Sequence, residues 1–189
     1  MSHSTASPRA SDRDPWPSLP FEEWKDTYAT LHRWTQIVGK IRLIQTPWVN
    51  HSWHTTLYVT SRGLTTSPIP YGTLTFQMDF DFLDHQLFIQ TSEGAIKTIP
   101  LVPRSVADFY EEVFSRLAEL GLPLKIHTCP NEIENPIEFD KDKTHAAYEA
   151  DSANRFWRAL VQADRVFKRF RARFMGKCSP VHFFWGSFD

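Results

Sequence analysis

The sequence has little that would tie it to a redox scaffold, a membrane or a nucleic acid. Only Cys129 and Cys178 are cysteines among 189 residues, too few and too far apart for a disulfide framework. The formal net charge is -1, so no global field gathers nucleic acid or acidic lipid. No apolar run nears the roughly 20 residues of a spanning helix. The opening MSHSTASPRASDRDPWPSLP lacks the apolar centre of a signal peptide. No Walker-type or dinucleotide glycine spacing occurs, which leaves the cofactor unknown. The resulting expectations are a cytoplasmic protein with no membrane partner, for which nucleic acid is a disfavoured partner.

What is present is core. A hydrophobic content of 41% and an aromatic content of 14% belong to a packed chain long enough for one domain. Residues 1–18, rich in Ser, Pro and charge, read as a disordered tail. Residues 19–189 read as a single domain.

From Pro20 the pattern turns helical. Glu22 and Glu23 suit the positive end of the helix dipole, and Trp24, Tyr28, Leu31, Trp34, Val38 and Ile41 form one stripe that ends before Pro47. Segment 53–60 alternates as a strand, with His54, Thr56 and Tyr58 on its polar face. Segment 73–82 alternates more strictly, with Leu74, Phe76, Met78, Phe80 and Phe82 inward and Thr75, Gln77, Asp79 and Asp81 outward. An antiparallel sheet with one solvated face follows. A tight turn at Asp84-His85 would set Phe82 opposite Leu87 and Phe80 opposite Ile89. A second turn at Glu93-Gly94 would set Gln90 opposite Lys97. Residues 73–101 are therefore a three-strand meander.

Ser105 caps the next helix, which Gly121 and Pro123 end. A short strand at 124–128, a long acidic loop at 130–148 and a final helix over 152–174 follow. That helix carries the stripe Phe156, Leu160, Ala163, Phe167, Phe170 and Phe174. The fold class is α+β: an antiparallel sheet of about five to six strands with a central meander, packed by three helices. Charge is segregated, net -5 over 130–151 and net +7 over 155–177. The two runs are expected to lie against each other, which favours internal pairing over a nucleic-acid surface.

Several residues can carry chemistry. His54, beside Thr56 and Tyr58, can relay protons; the plainer reading is a surface histidine. His51 and His54, three apart on a strand, face opposite sides, so no metal site is assigned. Arg62, Gly63, Thr65, Thr66 and Ser67 can hold a carboxylate or phosphate, or simply stiffen a strand connection. Arg104, ahead of a helix N-terminus, is an anion candidate or a partner of Asp108. Asp140, Asp142 and His145 form a weak cation pattern. Cys178 and His182 sit about 13 Å apart in an extended segment, too far to act as a pair. His182 stands among apolar residues, as a core histidine or a pocket wall. The catalytic candidates are His54 and His182; the ligand-binding candidates are Arg62, Thr65, Thr66 and Arg104.

The stretches WTQIVGKIRL (34–43), LYVTSRGLTTSPIPYG (57–72), DFDFLDHQL (79–87), VPRSVADFY (102–110) and 156–189 together resemble a bacterial family, domain of unknown function 5996. The resemblance implies no particular activity. It does imply a longer chain, since similar members continue past the motif matching HFFWGSFD into a second His- and aromatic-rich segment. On that reading the domain is truncated at its C-terminus and a missing C-terminal segment is a partner. Segment 181–188, apolar on both faces, is then a strand lacking one cover, with Phe184 or Phe188 unusually exposed.

Two functions remain open, with enzymatic activity undecided between them. One is a small-molecule binder or enzyme, for a ligand that includes anions, with a pocket between sheet and terminal segment drawing on His54, Arg62, Thr65, Thr66, Arg104 and His182. The other is a non-enzymatic protein-interaction module using the terminal aromatic strand or the basic helix.

Overall fold

A computed structural model describes residues 14–189. The expected tail, 1–18, lies outside these residues up to position 13. Residues 14–18 run beside the last helix, where Arg158 donates to the Asp14 carbonyl and Arg155 to the Ser18 carbonyl at 3.4 Å.

The first helix, α1 (Phe21–Gln45), starts after Pro20, carries Glu22 and Glu23 in its first turn, and stops where Thr46 turns extended ahead of Pro47. Five residues of its expected stripe are buried, and Tyr28 is half-buried. The burial goes further than a stripe. From Thr30 to Arg42 every residue is buried, including His32, Arg33, Gln36 and Lys40. α1 is a central helix covered on all sides, and its polar residues fasten the loops that cover it.

Six strands follow: β1 (Tyr58–Val59), β2 (Gly63–Thr65), β3 (Ile69–Tyr71), β4 (Leu74–Asp81), β5 (Gln86–Thr91) and β6 (Ile96–Pro100). The sheet is antiparallel in the order β1-β2-β4-β5-β6, with β3 also pairing β4. β2 and β3 thus share one edge of β4, end to end. Thr66 fills the gap: its N–H donates to the Met78 carbonyl at 3.0 Å, and its hydroxyl oxygen accepts from the Met78 N–H at 3.0 Å.

The meander over 73–101 is present, with both registers shifted from expectation. Phe80 faces Leu87 and Met78 faces Ile89, because the connection after Asp81 spans residues 82–85. Asp81 holds that turn, accepting from the N–H groups of Leu83 and Asp84 at 2.8 and 2.9 Å. Gln90 faces Ile96, and Lys97 faces Ile89, since the second connection also takes four residues. The alternation itself holds: Phe76, Met78 and Phe80 are buried.

The expected strand at 53–60 shrinks to β1. Residues 50–52 form a short 3-10 turn in which His51 and Ser52 take positive φ. Residues 124–128, expected as a short strand, take no regular secondary structure and join no sheet. Helix α2 (Val106–Glu119) is capped as expected, the Ser105 hydroxyl accepting from the Asp108 N–H at 3.1 Å. Helix α3 (Ala150–Arg171) buries Phe156 and Trp157. Trp34 stacks on Phe109 with ring centroids 4.5 Å apart, joining α1 to α2.

The acidic loop does not lie on α3. It lies on α1: Gln36 donates to the Asn131 carbonyl and accepts from its N–H, both at 2.8 Å. Lys40 donates to the Cys129 carbonyl at 2.7 Å, and buried Asp142 sits 3.2 Å from the Arg33 guanidinium. α1 offers cations and amides close by, whereas the basic run of α3 is two helical turns beyond the covered part.

The terminal segment is also not a strand. A single bridge joins Phe183 to Leu57, and residues 185–188 turn back on themselves. Phe188 is buried, stacked on Phe156 at 5.0 Å, which corrects the expected exposure; Phe184 is half-buried. Trp185 lies on Gly39 of α1, where a Cβ would come within 2.3 Å of the indole.

Candidate ligand-binding site on the open sheet face

The helices cover one face of the sheet and leave the other to solvent. Strand alternation and register decide what stands there. One cross-strand row reads Thr65, Asp79, Phe88, Thr98, and the next reads Gly63, Asp81, Gln86, Pro100. Gln77 and Gln90 pair in a third row. Together with Arg62, Pro68 and Asp84, residues of these rows line a cavity of about 600 Å³.

Asp79 is its centre. Its carboxylate accepts from the Gln77 amide at 2.8 and 3.0 Å and from the Gln90 amide at 3.0 Å. These neutral donors orient the carboxylate. Arg62 lies at the rim and is already engaged. Its Nε donates to Asp81 and its Nη2 to Asp84 at 2.6 Å. Burial favours the neutral form of Asp81, but Arg62 and the two turn N–H groups outweigh it and hold the pKa below the ordinary carboxylate range. Gly63 must be glycine because a Cβ would sit 1.8 Å from the Phe80 carbonyl oxygen. The cavity lining thus holds three carboxylates and one guanidinium, which leaves the site negative.

Of the six expected site residues, only Arg62 and Thr65 share this cavity. Thr66 is buried and spent on the strand gap, its own O–H donating to the Ser67 carbonyl at 2.8 Å. His54 is buried in the loop before β1, where its Nδ1 accepts from the Val49 N–H at 3.1 Å. It is not on a polar sheet face, because no strand runs there. Arg104 pairs with Glu112 on the next turns of α2, which replaces both the anion site and the Asp108 partner. His182 lines a separate cavity along α3, its Nδ1 2.7 Å from the Pro180 carbonyl. The proposed pocket joining all six is not formed.

The Asp140, Asp142 and His145 pattern resolves into architecture. Asp142 accepts from the N–H groups of Thr144 and His145 at 3.1 Å, and lies 2.7 Å from the His145 ring. Among the described residues no three His, Cys, Asp or Glu side chains gather as a metal-binding group. Sequence reasoning missed Asp79, Gln77, Gln90 and Phe88 as a site. Their outward alternation was visible, but the concavity that unites them was not. It also missed Tyr148, whose hydroxyl lies 2.8 Å from His85 Nδ1 and whose pKa burial pushes up.

An α+β protein with an open, polar antiparallel face and a ligand-sized hollow on it is the class these observations define. Among the described residues no helix is long and apolar enough to cross a membrane. The chain belongs to the family of unknown function DUF5996, whose family model matches residues 16–189. No curated protein matches the chain, and no solved structure does.

Proposed function

We propose that this chain is a small-molecule binding protein whose ligand occupies the open sheet face and carries an organic ammonium group. The observation that carries this reading is Asp79: a carboxylate on the floor of a cavity, oriented by two glutamines and matched by no cation among the described residues. Phe88 adjoins it in register and lines the same hollow. A carboxylate beside an aromatic face is the pairing that organic cations favour, through charge and through the ring quadrupole. Thr65 adds a hydroxyl next to Asp79. The anionic ligand expected from Arg62 and its neighbours is disfavoured, since Asp81 and Asp84 already occupy that guanidinium.

Binding is proposed and no reaction is assigned, because His54 and His182 stand in different parts of the molecule and neither lines this hollow. Calorimetric titration with putrescine and choline, against acetate and phosphate, tests the reading. Heat from the amines alone is the expected result. A response to the anions alone would overturn it.

A further inference from the structure

α3 is covered along its first half and bare along its second. Phe156 and Trp157 are buried, whereas Phe167 and Phe170, and Phe174 and Met175 just past the helix, are 59, 77, 60 and 95% exposed. With the segment that follows, these rings wall a cavity of about 760 Å³ that also takes in Val181 and His182. Aromatic surface this contiguous marks an interaction site.

Its charge narrows the partner. Residues 165–177 hold six Arg or Lys and no acid. The acid just before them, Asp164, already pairs with Lys168 at 2.7 Å. Arg171 donates to the carbonyls of Ser179 and Cys178 at 2.7 and 3.2 Å, which holds the segment on the helix without neutralising the charge. The groove is aromatic and cationic, and its complement is a segment of acids interleaved with apolar residues.

The same chain presents such a segment. Residues 131–140 read NEIENPIEFD, with Ile133, Pro136 and Ile137 between the acids. Glu132, Glu134 and Asp140 are exposed and form no ion pair among the described residues. Fastened to α1 through Asn131 and Asp142, this segment pairs with nothing on its own α3. Apart from the Lys168–Asp164 and Lys141–Glu138 pairs, the opposite charges are displayed without ion-pair partners among the described residues.

We propose that the groove of α3 is an interface between copies of this chain, and that segment 131–140 of a second copy occupies it. Reciprocal exchange fills both grooves in a two-fold dimer. The inference is independent of the ammonium site. An unrelated acidic protein or an anionic bilayer would answer to the aromatic and cationic groove alone. A second copy also brings the exposed acids of 131–140 to the same groove.

Sedimentation velocity across the micromolar range, with charge reversal, tests it. The wild type should dimerise, more weakly in high salt. Phe170→Ser should weaken association by at least about tenfold, and so should Glu132→Lys/Glu134→Lys, with circular dichroism and melting unchanged. Arg173→Glu/Lys177→Glu should also be monomeric. Mixing the two charge-reversed proteins should restore dimers, since each contact in the mixed pair is again opposite in sign. A wild type that stays monomeric overturns the proposal. So does a dimer untouched by the Glu132/Glu134 change, or a mixture that fails to associate. Flotation of a monomeric wild type with vesicles of phosphatidylserine would assign the groove to a membrane surface instead.

Discussion

The open sheet face and the open half of α3 are both uncovered, and they differ in what water does for them. On the sheet, Asp79, Gln77 and Gln90 satisfy one another, and Asp81 and Asp84 are met by Arg62. That surface is stable when empty, so it suits a ligand that comes and goes. On α3 and the turn after it, phenyl rings and the Met175 thioether stand exposed among the cations, and these apolar groups gain nothing from water. That surface gains from lasting cover. The difference separates a binding site from an interface, and each can be perturbed without the other.

The largest effect should come from the loop that supplies the acids. Asp142→Ala leaves the buried Arg33 guanidinium unpaired, and chemical denaturation should show a loss of about 3–5 kcal/mol. Self-association should fall with it, while amine binding to the surviving folded protein should not. Next, Asp79→Asn should weaken amine binding by at least about tenfold in calorimetry, the scale of a lost charge-assisted hydrogen bond. Sedimentation should be unchanged. Gly39→Ala drives a methyl into Trp185 and should cost about 1–3 kcal/mol by overpacking. It should also loosen the terminal segment leading from the α3 groove.

A smaller effect is pH-dependent. Burial, opposed by the Gly186 carbonyl, lowers the His32 pKa below the ordinary histidine value. His32 donates to that carbonyl at 2.8 Å while neutral. The unfolded chain therefore takes up the proton first as pH falls, so stability is complete above about 6.5 and declines below it. Melting temperatures from about pH 7.5 to about pH 5.5 should fall more steeply in the wild type than in His32→Gln. The smallest effect is the most diagnostic. Phe170→Ser should change monomer stability by under about 0.5 kcal/mol, because nothing among the described residues covers the ring. A large loss there would erase the contrast between the two surfaces.

Much of this was legible in the sequence where one period decides the answer. The α1 stripe, the β4 alternation and the Ser105 cap follow from local spacing. What was not legible depends on tertiary neighbours. α1 looked one-sided because His32, Gln36 and Lys40 are polar, yet each is buried against a loop carbonyl. Gly39 in mid-helix was the visible hint that something large approaches there, and Trp185 is what does. The first hairpin register slipped because Asp81 closes a longer turn than Asp84-His85 alone implies, and the second because its connection takes four residues rather than two. Arg62, Thr66 and Arg104 read as free donors, since sequence shows a side chain without its partner. Asp79 was read as merely solvated for the same reason.

The most direct test of the central claim is a two-dimensional amide NMR titration of choline into the wild type and into Asp79→Asn. The account predicts saturable shifts confined to β2, β4 and β5 around Thr65, Asp79 and Phe88 in the wild type, and none in the variant. Equal shifts in both proteins, or shifts centred on α3, would contradict it.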